Sequence, residues 1–138
     1  MAKSLSQSRR ASFFKLVFTG LIPLIAWMGF IFVLSNREKI AFTESYPVSF
    51  AIFKSLHLIE YGTLFLLWLR FLFLSGMKKP YLLALFFTFA YGLSDELHQS
   101  FVTGREGKLF DACVDGLGGL IAWGIIEKIR PLKKLVRL

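Results

Sequence analysis

Cysteine, acid and charge in general are scarce in this chain of 138 residues, which has one cysteine, nine Asp and Glu together, and 19% charged residues. A single thiol, Cys113, excludes an intrachain disulfide and any multi-cysteine zinc motif, so it reads as a small packing residue. Repeats and low-complexity linkers are absent too, and one domain over residues 1–138 is the economical expectation. What replaces charge is oil: 55% of residues are hydrophobic, 17% are aromatic and the mean hydropathy is +0.58. That balance predicts a membrane protein. The net charge of +8 and pI near 9.9 do not indicate a nucleic-acid partner, because the cations flank apolar runs instead of forming a basic face on a soluble domain.

A helical membrane span takes about 20 largely apolar residues. Four are predicted, at 13–34, 51–74, 80–102 and 109–126. Arg9, Arg10 and Lys15 precede the first run as they would in a secretory leader. The run is longer than a leader's apolar region, however, and Ser35-Asn36-Arg37 follows it in place of a cleavage site, so it is read as a retained anchor. Cations accumulate in cytoplasmic connections. Lys3, Arg9, Arg10 and Lys15, then Lys78 and Lys79, then Lys128, Arg130, Lys133, Lys134 and Arg137 place both termini and the 2–3 connection in the cytoplasm. The expected fold is therefore all-α, an integral four-helix membrane bundle crossing the cell membrane several times. In the tail, Pro131 is read as interrupting a basic amphipathic stretch whose simplest role is to fix topology, with contact to anionic lipid the other reading. Tyr46-Pro47, in the connection 35–50, marks either a turn or a short surface helix.

With that orientation the ionisable residues of three separate spans reach one depth. Lys54, His57 and Glu60 fall in the outer half of the second span, Asp95, Glu96, His98 and Gln99 in that of the third, and Asp111 and Asp115 in that of the fourth. At about 100° per residue, Lys54, His57 and Tyr61 share a face, as do Asp95, His98 and Gln99. Asp111, Asp115, Gly118 and Ala122 form a stripe that is polar outside and small further in, and small residues admit close helix approach. Each ionised group left facing lipid at mid-span costs about 2.5–3.5 kcal/mol on insertion scales. The groups must pair, hydrogen-bond or line a wet outward cavity. For any one of them, a structural ion pair that locks the bundle is the plain alternative.

His57-x-x-Glu60-Tyr61, then Tyr91-Gly92-x-x-Asp95-Glu96-x-His98-Gln99, then Gly104-Arg105, then Asp111 with glycines after it, resemble the VanZ-like family over the second to fourth spans. The resemblance implies a small bacterial integral membrane protein. The family's namesake is associated with resistance to teicoplanin-type glycopeptide antibiotics, and no reaction is established for the family. Carried over, the family's polar positions are Lys54, His57, Glu60, Tyr61, Asp95, Glu96, His98, Gln99, Arg105 and Asp111. The chain departs at Asp115, where the family commonly has Asn.

Three chemistries suit such a cluster. In an enzyme or binding pocket for an envelope lipid or lipid-linked substrate, His57 or His98 would move protons while Asp95, Glu96, Asp111 or Glu60 relays or orients. Lys54, Tyr61, Gln99 and Asp115 would bind, and Arg105 would grip an anionic headgroup with its planar fork. Neither Ser94 nor Ser100 has a nucleophile's setting, and both read as helix-face hydroxyls. A metal site could be assembled from His57-x-x-Glu60, Asp95-x-x-His98 and Asp111, although Lys54 would repel the ion; no cofactor is expected, and a divalent ion stays open. A proton-coupled carrier would use the same residues, but "LFLLWLRFLFL" and "LLALFFTFA" read as apolar inner halves that a proton wire would have to cross. A non-catalytic interaction module with a polar core is the remaining reading, and the oligomeric state is left open.

Overall fold

The structure is a computed structural model and describes residues 10–36, 46–102 and 109–137. Every element among them is a helix: α1 (Arg10–Ser35), α2 (Tyr46–Leu74), α3 (Pro80–Gln99), α4 (Leu109–Lys128) and α5 (Arg130–Arg137). By length and composition, α1 and the Ala51–Leu74 part of α2 are able to cross a membrane. Tyr46-Pro47 opens α2, with proline in the first turn where its missing N–H is harmless. The connection from 37 to 45 lies outside the described residues.

Proline and glycine punctuate the chain. Pro23 cannot donate a backbone hydrogen bond, and the turn before it is a π-helical segment, Leu16–Leu21. The carbonyl of Thr19, four residues before Pro23, receives the Nε–H of Arg70 from α2 at 2.8 Å instead. At the end of α2, Gly76 takes φ +73°. Its N–H bonds the Phe73 carbonyl and that of Met77 bonds Leu72, a double closure that stops the helix with a left-handed residue. Pro80 then starts α3 after a turn of five residues, 75–79.

Side-chain contacts give the topology. Trp27 Nε1 donates to the Glu60 carbonyl and Arg70 meets Thr19, so α1 and α2 are antiparallel. The Tyr91 hydroxyl donates to the Met28 carbonyl at 2.6 Å, tying α3 to α1. Between α2 and α4, Lys54 meets Asp111, His57 meets Asp115 and Gly62 meets Gly118, so these two helices run parallel. The up-down order leaves the end of α1, the start of α2, the end of α3 and the start of α4 together at one polar end. The other end carries Arg10, Lys15, Lys78, Lys79, Lys128 and Lys134.

The seam between α2 and α4 has almost no room for side chains. A Cβ on Gly118 would stand 2.6 Å from the backbone oxygen of Leu58, and one on Gly62 would stand 3.3 Å from the Gly118 carbonyl oxygen. Beneath the polar end, Phe65, Leu69, Leu72, Ala84, Ala122 and Ile126 form the apolar core, and Trp68 stacks on Phe87 at 4.7 Å. A second cluster of Leu24, Ile31, Tyr61 and Leu64 joins α1 to α2. The tail departs from expectation: Pro131 sits at the start of a helix, where it initiates rather than interrupts, and Val136 of that helix is buried in the core. Gly118→Ala is expected to lower unfolding stability by about 1–3 kcal/mol, because the obstacle is backbone that cannot rotate away. Gly124→Ala, which meets nothing within 4 Å, is expected to be neutral or to stabilise by up to about 1 kcal/mol. Thermal unfolding of the two purified variants in detergent makes the comparison.

Candidate functional site

The polar end is organised as a ladder. Lys54, His57 and Tyr61 lie on consecutive turns of α2 and each meets a carboxylate from another helix. Lys54 Nζ contacts Asp111 Oδ1 at 2.5 Å in a pair that keeps partial exposure, 22% and 27% for the two side chains. One turn deeper, His57 Nδ1 lies 3.2 Å from Asp115 Oδ1. Deeper again, the Tyr61 hydroxyl donates to Asp95 Oδ2 at 3.2 Å, and Gln99 Nε2 donates to the same oxygen at 3.0 Å. Exposure falls down the ladder, reaching 1% for Asp115, 3% for Asp95 and zero for Tyr61.

The spacing follows from helix geometry. Parallel helices at close approach present side chains to each other one turn at a time, so steps of three or four residues on α2 meet a step of four on α4. The Gly62–Gly118 contact sets that register one layer below the last rung. On α3, Gly92 lies one turn before Asp95, and its missing side chain lets Tyr61 and Asp115 approach: a Cβ there would be 3.4 Å from Tyr61 Cε1 and 3.5 Å from Asp115 Oδ2. The Tyr91-Gly92 pair is thus a two-sided contact, with the tyrosine serving α1 and the glycine serving α2 and α4.

Of the residues singled out in the sequence, Lys54, His57, Tyr61, Asp95, Gln99, Asp111 and Asp115 are brought into direct contact. Glu96 is buried beside Asp95 on α3 at 4% exposure. Glu60 is half-buried, and its backbone carbonyl, rather than its carboxylate, is what Trp27 binds. His98 turns away from Asp95 toward α1, where its ring centroid lies 4.5 Å from that of Phe32, and its Nε2 is buried without a hydrogen-bond partner. Arg105 lies outside the described residues, as does Gly104. Ser94 and Ser100 are exposed, each donating to a carbonyl three residues back. Among the described residues no three His, Cys, Asp or Glu side chains are grouped so as to hold a metal ion.

Two features were not read from the sequence. Arg70 sits within the run taken as purely apolar, and there it binds the carbonyl that Pro23 exposes; the proline seven residues after a cationic start was the available signal. The second is a groove of about 420 Å³ between α3 and α4, lined among others by Phe86, Phe89, Cys113, Gly116 and Leu120 and almost wholly apolar. It opens on the outer side of the same α4 segment whose inner side carries Asp111 and Asp115.

Comparison with protein families matches residues 2–130 to VanZ/LLP1. The match takes in all four long helices and the whole ladder, and the chain belongs to the VanZ/LLP1 family. No curated protein and no solved structure gives a significant match.

The ladder's rungs differ in depth and so in worth. A double-mutant cycle on Lys54→Met and Asp111→Asn is expected to give a coupling of at most about 1 kcal/mol, since both groups keep contact with solvent. Tyr61→Phe is expected to cost about 1–2 kcal/mol, because it removes a donor from a buried carboxylate. Unfolding free energies of the single and double variants test both values.

Proposed function

We propose that the chain is a multi-pass cell-membrane protein of one domain, with both termini cytoplasmic, whose polar end opens outward as a binding pocket for a cell-envelope lipid or lipid-linked substrate. The observation that carries this reading is the pairing of opposite surfaces. Carboxylates, histidine and lysine are turned inward at one end, while large apolar side chains cover the outside of every long helix, including Phe18 and Ile25 on α1, Ile59 on α2, Phe86 and Leu97 on α3, and Leu117 and Ile121 on α4. An outside of that kind suits lipid, and an inside of that kind suits a polar headgroup. The concentration of cations at the opposite end supports the orientation.

The α3–α4 groove adds a place for an acyl chain alongside the headgroup position. In such a complex His57 and Asp115 form the proton-handling pair, Asp95 is held in place by Tyr61 and Gln99, and the exposed Lys54–Asp111 pair stands at the entrance. Phe65, Leu69 and Leu72 lie beneath Tyr61, which favours a one-sided pocket over a carrier that passes protons from end to end. The family's link to teicoplanin-type resistance extends to this chain as part of the same proposal, through action on an envelope component.

Mass spectrometry of the protein purified in mild detergent is expected to find a retained envelope lipid or precursor. His57→Ala and Asp95→Asn proteins are expected to insert normally yet retain several-fold less of it. Maleimide labelling of Cys113, the only thiol, should be slowed when that lipid is added back. Normal lipid retention by both variants, or degradation in place of insertion, would leave the ladder a structural device.

A further inference from the structure

The ladder contains two buried oxygens that nothing in the protein satisfies. Asp95 accepts two hydrogen bonds on Oδ2, from Tyr61 and Gln99, while its Oδ1 is buried and unpartnered. Asp115 uses Oδ1 for His57, and its Oδ2 is buried and unpartnered as well. That second oxygen is aimed at α3, where it approaches the open side of Gly92, one turn from Asp95 on the same helix; the Tyr61 ring borders the same spot. Two carboxylates from different helices therefore leave one oxygen each on either side of the Tyr61 ring.

An orphaned oxygen on a buried carboxylate is among the more costly features a core can hold. Protonation in place does not remove the cost, because a hydroxyl on Asp95 Oδ1 or Asp115 Oδ2 would need an acceptor and none lies in reach of either. The nearby cations are engaged elsewhere, Lys54 with Asp111 and His57 with the other oxygen of Asp115. The surrounding charge is also one-sided. Glu60, Asp95, Glu96, Asp111 and Asp115 face Lys54 and the two histidines at this end, and α1 contributes no charged group to its described outer half. The missing partner is thus a positive charge small enough to fit between buried groups. A divalent ion would need six or more oxygen ligands, more than two carboxylates and a phenol provide. We propose that Asp95 Oδ1, Asp115 Oδ2 and the Tyr61 hydroxyl oxygen hold a small monovalent cation, sodium or hydronium, between α2, α3 and α4. The ion goes beyond the envelope-ligand reading and does not depend on it, since it completes the protein's own core.

The full chain, purified in nonionic detergent without added envelope lipid, is unfolded thermally at fixed ionic strength while sodium chloride replaces choline chloride, at several pH values. Anything that binds only the folded state raises the midpoint saturably with its concentration. With sodium as the occupant, the midpoint climbs and levels off with sodium but not with choline, the response disappears in Asp95→Asn and Asp115→Asn, and it persists in Lys134→Ala at the far end. With hydronium as the occupant, sodium and choline are equivalent, and a stabilisation on acidification is present in wild type and absent from both Asn variants. His57, His98, Glu60, Glu96, Tyr91 and Asp111 border the site and titrate in all of these proteins alike, so only the difference between wild type and variant is scored. If the Asn variants fail to fold, Tyr61→Phe takes their place and is expected to weaken the same response. Midpoints that follow neither cation nor acid, or that follow them equally in wild type and variants, overturn the proposal. Lipid retention is not read here, so the result stands apart from the pocket's own test.

Discussion

The contact between α2 and α4 is so close that the backbone of one helix lies against the backbone of the other. Gly118 faces the Leu58 carbonyl with no space for even a methyl group, and Gly62 faces Gly118 in return. Two parallel helices locked at one point have a fixed register over the following turns, and this register sets Lys54 opposite Asp111 and His57 opposite Asp115. Slide either helix by one residue and each pair loses its partner, leaving charge buried alone. The glycine seam is apolar chemistry with a polar consequence. It also explains why α3 needs Gly92, since a third helix can reach this seam only where its own side chain is absent.

Polar and apolar layers divide the bundle along its length. At the polar end the rungs become less exposed and more fully hydrogen-bonded with depth, from Lys54–Asp111 to Tyr61–Asp95. Below Tyr61 the aromatic and aliphatic core takes over, with Phe65, Trp68, Phe87 and Trp123 stacked in succession. One polar contact interrupts the lower layer, and it has a separate origin: Pro23 leaves a carbonyl unpaired in α1, and Arg70 supplies the donor. That arrangement neutralises a backbone defect without extending the ladder, since the apolar cluster of Leu64, Leu69 and Leu72 separates the two.

Much of this was legible in the sequence for identifiable reasons. The apolar runs were long enough to mark helices, and helical spacing put Lys54, His57 and Tyr61 on one face and Asp111, Asp115, Gly118 and Ala122 on another. Membership of VanZ/LLP1 was carried by the same residues. Less legible was anything that depended on rotation by a fraction of a turn. His98 was grouped with Asp95 and Gln99, yet it points to Phe32, because three residues overshoot a turn by too little to settle which neighbour is met. The tail misled for a different reason. Proline stops a helix when it falls inside one and starts a helix when it falls first, and Pro131 could be assigned to either role until Val136 was seen packed in the core. Arg70 was hidden by averaging, as one cation in an eleven-residue apolar string barely moves its hydropathy.

The first helix is at once the most apolar and the least enclosed. Its best window has a mean hydropathy of 2.3 with 17% of it buried, against 1.4 and 33% for α2. Ribosomes deliver it before any of its neighbours exist. A helix so content among acyl chains can wait there alone without penalty, while α2 to α4, burdened with carboxylates and histidines, gain shelter only in each other's company. Order of synthesis and order of need are thereby matched: the segment that emerges earliest is the one that can best tolerate solitude.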